Sequence, residues 1–109
     1  LLKIQIQHLF HMKKSGEKRY KIEYFRVAQR DVIKIPNELK PIIARAIHEK
    51  LGTRPEVFGK PLKSILYPLW SLRVKNWRVV FLLKKGVVQI WAILPRSTIY
   101  KEVQKRKKL

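Results

Sequence analysis

The sequence predicts an α+β domain in which two helices pack on a mostly antiparallel sheet, followed by a basic C-terminal helix or tail. Three observations predict it. Residues 20–25 alternate in the manner of a strand. Two stretches with helical apolar spacing follow. Residues 69–74, 77–83 and 87–94 are then rich in Val, Ile, Leu, Phe and Trp, with short polar turns between them. A chain of 109 residues has room for one small core. Residues 20–109 therefore read as a single domain, and residues 1–19 as an N-terminal extension of upstream or mobile sequence, with Met12 as its candidate functional start.

Each element has its own justification. In the first strand, Tyr20, Ile22 and Tyr24 alternate with Lys21, Glu23 and Phe25. Residues 27–34 form a short helix that Pro36 ends. Asn37 is the candidate cap of a second helix, where Leu39, Ile42, Ile43, Ala46, Ile47 and Leu51 share one face and Gly52 closes the C-terminal end. Pro41 falls in the first turn, where its missing N–H costs little. Residues 53–68 connect, with a short strand expected near Leu62. A two-residue loop at Lys75-Asn76 pairs Val74 with Trp77, Leu72 with Val79 and Trp70 with Phe81 on one face, the core face. The other face receives Ser71, Arg73, Arg78 and Val80, with Arg73 directly across from Arg78. A second two-residue loop at Lys85-Gly86 adds Trp91 and Ile93 to that open face. Pro95 ends the last strand, and Ser97 or Thr98 can cap the basic C-terminal segment.

The charge is the strongest functional signal. Lys and Arg number 26 against 7 Asp and Glu, a net charge of +19. Such self-repulsion opposes folding unless a polyanion is the partner. From Val57 to Lys101 there are nine cations and no acid. No apolar run approaches a membrane span of about 20 residues, and the absence of cysteine excludes disulfides and thiolate metal sites. His8, His11 and His48 complete no ligand spacing, and His48 reads as lying on the polar side of its helix. Like charges directly opposite on a sheet are destabilising. An Arg pair held there favours an anion, because each guanidinium offers a planar fork of donors to phosphate oxygens.

The segments Gly59-Lys60-Pro61-Leu62-Lys63, Leu69-Trp70-Ser71-Leu72-Arg73-Val74, Trp77-Arg78-Val79-Val80-Phe81 and Pro95-Arg96-Ser97-Thr98-Ile99-Tyr100, together with Asp31-Val32-Ile33-Lys34-Ile35-Pro36, resemble the RelE superfamily of bacterial and archaeal toxins. The resemblance implies a β-α-α-β-β-β fold and a cytoplasmic toxin of a type II toxin–antitoxin pair, neutralised by an acidic, RelB-like antitoxin. It implies operator DNA contact through that antitoxin, and no membrane partner. The implied activity is metal-free, cofactor-free cleavage of mRNA in the ribosomal A site. The 2′-hydroxyl attacks the adjacent phosphate and the 5′-oxygen leaves. By position, Arg78 is the phosphate and transition-state contact. Arg73 is the basic residue of the preceding strand, and Arg96 and Tyr100 are the C-terminal basic residue and tyrosine. Two positions depart from the family pattern: Ser71 replaces a lysine of some relatives, and Pro95 replaces a histidine. Proton transfer is then left to Tyr100, to Lys75 or Lys101, or to the ribosome.

Lys60, Lys63, Lys75, Lys101, Lys105 and Arg106 are candidate RNA contacts, and Trp91 either stacks on a base or packs under the C-terminal segment. Two other readings stand beside cleavage. A ParE-like relative would poison DNA gyrase, and an inactive homologue would bind RNA without cutting it.

Overall fold

A computed structural model describes residues 19–108, so the expectations for the first 18 residues, Met12, His8 and His11 included, lie outside the described residues. The strand expected at the start is β1, Lys21–Tyr24, followed by α1, Arg26–Lys34, and α2, Lys40–Ala46. A π-helical turn, Ile47–Leu51, prolongs α2, and a single turn, α3, spans Pro55–Phe58. After β2, Lys60–Pro61, and a 3-10 turn, Ser64–Leu66, come β3, Leu69–Val74, β4, Trp77–Lys84, β5, Val87–Pro95, and α4, Ile99–Lys107. The sheet order is β1-β5-β4-β3-β2. Only the β1–β5 pair is parallel. The predicted α+β class and the C-terminal helix are both observed.

The hairpin register is the expected one. Val74 faces Trp77, Leu72 faces Val79, Trp70 faces Phe81, and Arg73 faces Arg78. Lys75, in the loop, carries φ +54°. The Leu72, Val74, Val79 and Phe81 side chains join Ala28 and Val32 from α1, Ile35 just after it, Ile43 from α2 and Ile47 from the π-helical turn in the main core. Trp70 and Trp77 pack at its margin, and Trp70 stacks on Phe81 with centroids 6.3 Å apart.

Several expectations change. A β-bulge opposite Val80 and Phe81 shifts the β4–β5 register, so Val80 pairs with Ala92 and Val79 with Ile93. The bulge holds one extra residue in β5, which turns Ile93 into the core and not onto the face of Arg78. That face is not open along its length either. Ile99 and Val103 of α4 cover Leu69, Val80 and Ala92 in a second apolar cluster, with Trp91 at its edge. Asn37 is not a cap, because α2 begins at Lys40 and its capping position is Leu39. Thr98 holds the N-cap position of α4 without a side-chain capping bond. His48 lies in the π-helical turn and is buried, not on a polar face. Gly52 ends that turn with an ordinary right-handed φ of −73°. Its need for glycine is a close approach, since a Cβ there would collide with the His48 carbonyl oxygen.

One buried ion pair ties three elements together. Asp31 of α1 receives two hydrogen bonds from the Arg106 guanidinium of α4, at 2.8 and 2.9 Å. Asp31 also accepts from the Ile93 N–H at 2.9 Å, and Arg106 donates to the Trp91 carbonyl at 2.9 Å. The parallel pairing of β1 stops at Tyr24 opposite Ile90. Beyond it, the ion pair supplies β5 with an acceptor and a donor, as a longer β1 would have done.

Candidate nucleic-acid interface

The site is built on the face of β2, β3 and β4 that α4 leaves uncovered. An open cleft of about 480 Å³ is lined by Phe58, Gly59, Lys60, Leu62, Ser71, Arg73, Arg78 and Tyr100. Strand pairing creates it. Lys60 stands directly across from Ser71, and Arg73 directly across from Arg78. Alternation along β3 puts Ser71 and Arg73 on the same face. Three cationic side chains therefore converge on one depression whose lining includes no carboxylate among the described residues.

The two arginines are held differently. Arg73 is exposed. Arg78 is half-buried, and its Nη1 donates to the Lys75 carbonyl at 3.0 Å and the Trp77 carbonyl at 2.9 Å. The hairpin turn thus grips one nitrogen of the guanidinium and leaves its other donors for an anion. The Tyr100 hydroxyl lies 3.5 Å from the buried Ser71 hydroxyl. That distance is at the outer limit of a hydrogen bond, so the contact places the phenol loosely over the cleft floor. Tyr24 has a different role: burial pushes its phenol pKa up, so it stays protonated within the core.

The remaining predicted residues divide. Arg96 does not line this cleft. Its N–H donates to the Asn76 carbonyl at 2.7 Å, and its exposed side chain borders a neighbouring depression of about 510 Å³ with Asn76, Pro95 and Ser97. Lys63, Lys75, Lys101 and Lys105 are exposed and do not line the cleft. Neither Lys75 nor Lys101, the lysines expected to move a proton, reaches the lining; Lys60 does. Arg106 is not an RNA contact, because its side chain is only 10% exposed and is committed to Asp31, Glu102 and Trp91. Burial alone would lower the Arg106 pKa, but the hydrogen bonds and charge of Asp31, reinforced by Glu102, raise it above its usual value. Trp91 packs against Phe25 at 4.8 Å between centroids and donates its indole N–H to Gln89, the packing role of the two foreseen for it.

Sequence reasoning missed Asp31 and Phe58. Asp31 sits within the stripe of Ala28, Val32 and Ile35, and a carboxylate in an apolar stripe requires a buried partner. Phe58 directly precedes Gly59-Lys60, and only the fold shows that it faces the cleft.

No family model and no curated protein matches the sequence. Solved structures do match. The chain is similar to one in the toxin–antitoxin complex RelBE2 from Mycobacterium tuberculosis, with TM-score 0.68 and 24% identity over 72% of this chain and 99% of that one. It is also similar to YafQ from Escherichia coli, with TM-score 0.53 and 19% identity over 74% and 98% of the two chains. For the RelE–RelB complex from Pyrococcus horikoshii the values are 0.53 and 19%, over 72% and 96%. The chain has the fold of RelE-type toxins.

Proposed function

We propose that this protein is the toxin of a toxin–antitoxin pair and cleaves mRNA on the ribosome. The observation that supports this best is the convergence of Lys60, Arg73 and Arg78 beside the Tyr100 hydroxyl in an open cleft. Such a cleft binds a backbone phosphate and stabilises the extra negative charge of a pentavalent intermediate. Arg73 and Arg78 hold the non-bridging oxygens while the 2′-hydroxyl attacks phosphorus. The 5′-oxygen leaves, and a 2′,3′-cyclic phosphate remains. Lys60 and Tyr100 are the cleft residues that can pass a proton to or from these oxygens. An arginine performs this poorly, since it does not give up its proton. The wider basic surface, Lys63, Lys75, Arg96, Lys101 and Lys105, docks on ribosomal RNA phosphates. A small acidic antitoxin carrying an amphipathic helix covers the cations and silences the site, and through it the pair reaches operator DNA.

Primer extension on a translated mRNA tests this reading. Breaks are expected with ribosomes present, none without them, and none with the folded Arg73→Ala/Arg78→Ala variant. Intact mRNA together with accumulated gyrase-cleaved DNA would transfer the protein to the ParE-like class.

A further inference from the structure

We infer that Phe58 is a stacking platform for an RNA base, seated beside the phosphate held by Lys60, Arg73 and Arg78. This rests on the proposed RNA activity and adds the element that holds a nucleoside next to its phosphate. Phe58 is 43% exposed, lines the cationic cleft, and belongs to neither described core cluster. Its backbone is anchored. Phe58 closes the turn of α3, with its N–H donating to Arg54 and the Gly59 N–H donating to Pro55 at 2.8 Å. Gly59 makes the approach possible: a Cβ there would lie 2.7 Å from Phe81 Cζ and 2.8 Å from the Pro55 carbonyl oxygen. The absence of that atom lets the chain leaving α3 pass close to the Phe81 ring of β4, between Phe58 at the cleft wall and Lys60, which pairs with Ser71.

The surroundings select the ligand. The Lys50 ammonium of the π-helical turn stands over the Phe58 ring, 5.7 Å from its centroid, so a cation covers one side of the ring and Lys60, Arg73 and Arg78 line the cleft beside it. An apolar partner would have to desolvate those charges. A single-stranded nucleotide matches both halves, with a flat base for the ring and a phosphate for the cations. A duplex keeps its bases stacked and offers the ring nothing. Trp91 cannot serve instead, since it is packed against Phe25 and α4.

A 2′-O-methylated RNA hexamer with 2-aminopurine at its centre, which cannot be cleaved at that linkage, tests the assignment by fluorescence. Wild-type protein should quench the 2-aminopurine on binding. Phe58→Leu, which keeps apolar bulk, should lose the quenching and bind roughly tenfold or more weakly with an unchanged salt dependence. Phe58→Trp should restore both. Arg73→Ala/Arg78→Ala should do the reverse, lowering the salt slope while the residual complex still quenches. Thermal unfolding confirms that each variant is folded. Wild-type affinity and quenching in Phe58→Leu would overturn the inference while leaving the RNA activity standing. If that variant instead lost only an acidic protein partner, the ring would be a protein contact and the inference would fall. A wild-type protein that neither binds nor quenches the hexamer would overturn the inference, whereas the cleavage reading falls only if primer extension with ribosomes shows intact mRNA.

Discussion

Removal of the Asp31–Arg106 pair should give an order of stabilities that a generic buried salt bridge does not. Truncating one partner of a buried pair costs about 3–5 kcal/mol, because the other charge stays buried. Asp31→Leu should lie near the low end, since Arg106 keeps Glu102 at 3.3 Å, and Glu102 is 40% exposed to solvent. Arg106→Leu should lie near the high end, since Asp31 is only 5% exposed and keeps only the Ile93 N–H. In thermal unfolding these losses correspond to a drop on the order of 20 °C. Replacing both residues by Leu removes the desolvation cost, and in other proteins such a change is often neutral or stabilising by about 1–4 kcal/mol. Here the pair also serves the Ile93 N–H and the Trp91 carbonyl. Each buried group left without a partner costs about 1–3 kcal/mol. The double variant should recover part of the loss and remain about 1–2 kcal/mol below wild type. Urea titration of the four proteins measures this. A double variant at least as stable as wild type would refute the argument that the pair completes the edge of β5.

Three further outcomes follow from the cleft. Arg78→Lys should lose most of the cleavage that Arg78→Ala loses, roughly tenfold or more, because an ammonium cannot hold the Lys75 and Trp77 carbonyls and still present a fork to phosphate; single-turnover cleavage on programmed ribosomes measures it. Tyr100→Phe should lower cleavage while shifting the melting temperature by only a few degrees, since the hydroxyl's contact with Ser71 is long at 3.5 Å. Gly59→Ala should destabilise by about 1–3 kcal/mol in urea unfolding, because the added methyl meets Phe81 and the Pro55 carbonyl.

The most legible part of the fold was the β3–β4 hairpin. Its register follows from one assumption, a two-residue loop at Lys75-Asn76, and every pair out to Trp70 and Phe81 obeys it. The next hairpin was legible only as far as Phe81 opposite Ile90. A bulge leaves no mark in a run of Val, Ile, Trp, Ala and Leu, all of which suit either face of a strand, so Ile93 was assigned to the wrong side. The arginine pair and Tyr100 were visible in sequence, and the fold brings them together. The separation of Arg96 from them was not visible, because it depends on how β5 ends beside the Asn76 turn. Arg106 was misjudged for a related reason. In a basic run it looks like its neighbours, and only a buried carboxylate elsewhere in the chain distinguishes it. The spacing of Ile99, Val103 and Arg106, which continues one helical face, was the available clue.

The Asp31–Arg106 pair also bears on self-association. An exposed strand edge with free N–H and C=O groups is a template on which another copy can pair. This sheet ends in β2, two residues long, on one side and β1, four residues long, on the other. Among the described residues, the stretch of β5 that outruns β1 would be the longest unprotected edge, and it is apolar. Asp31 and Arg106 occupy the hydrogen-bonding groups there, so a second chain finds no row of free donors and acceptors. The variant with Leu at both positions should therefore aggregate from its folded state faster than wild type, as measured by light scattering below the unfolding transition. In a protein whose net charge already discourages self-contact, the ion pair guards a stretch of strand edge where backbone pairing could outweigh that repulsion.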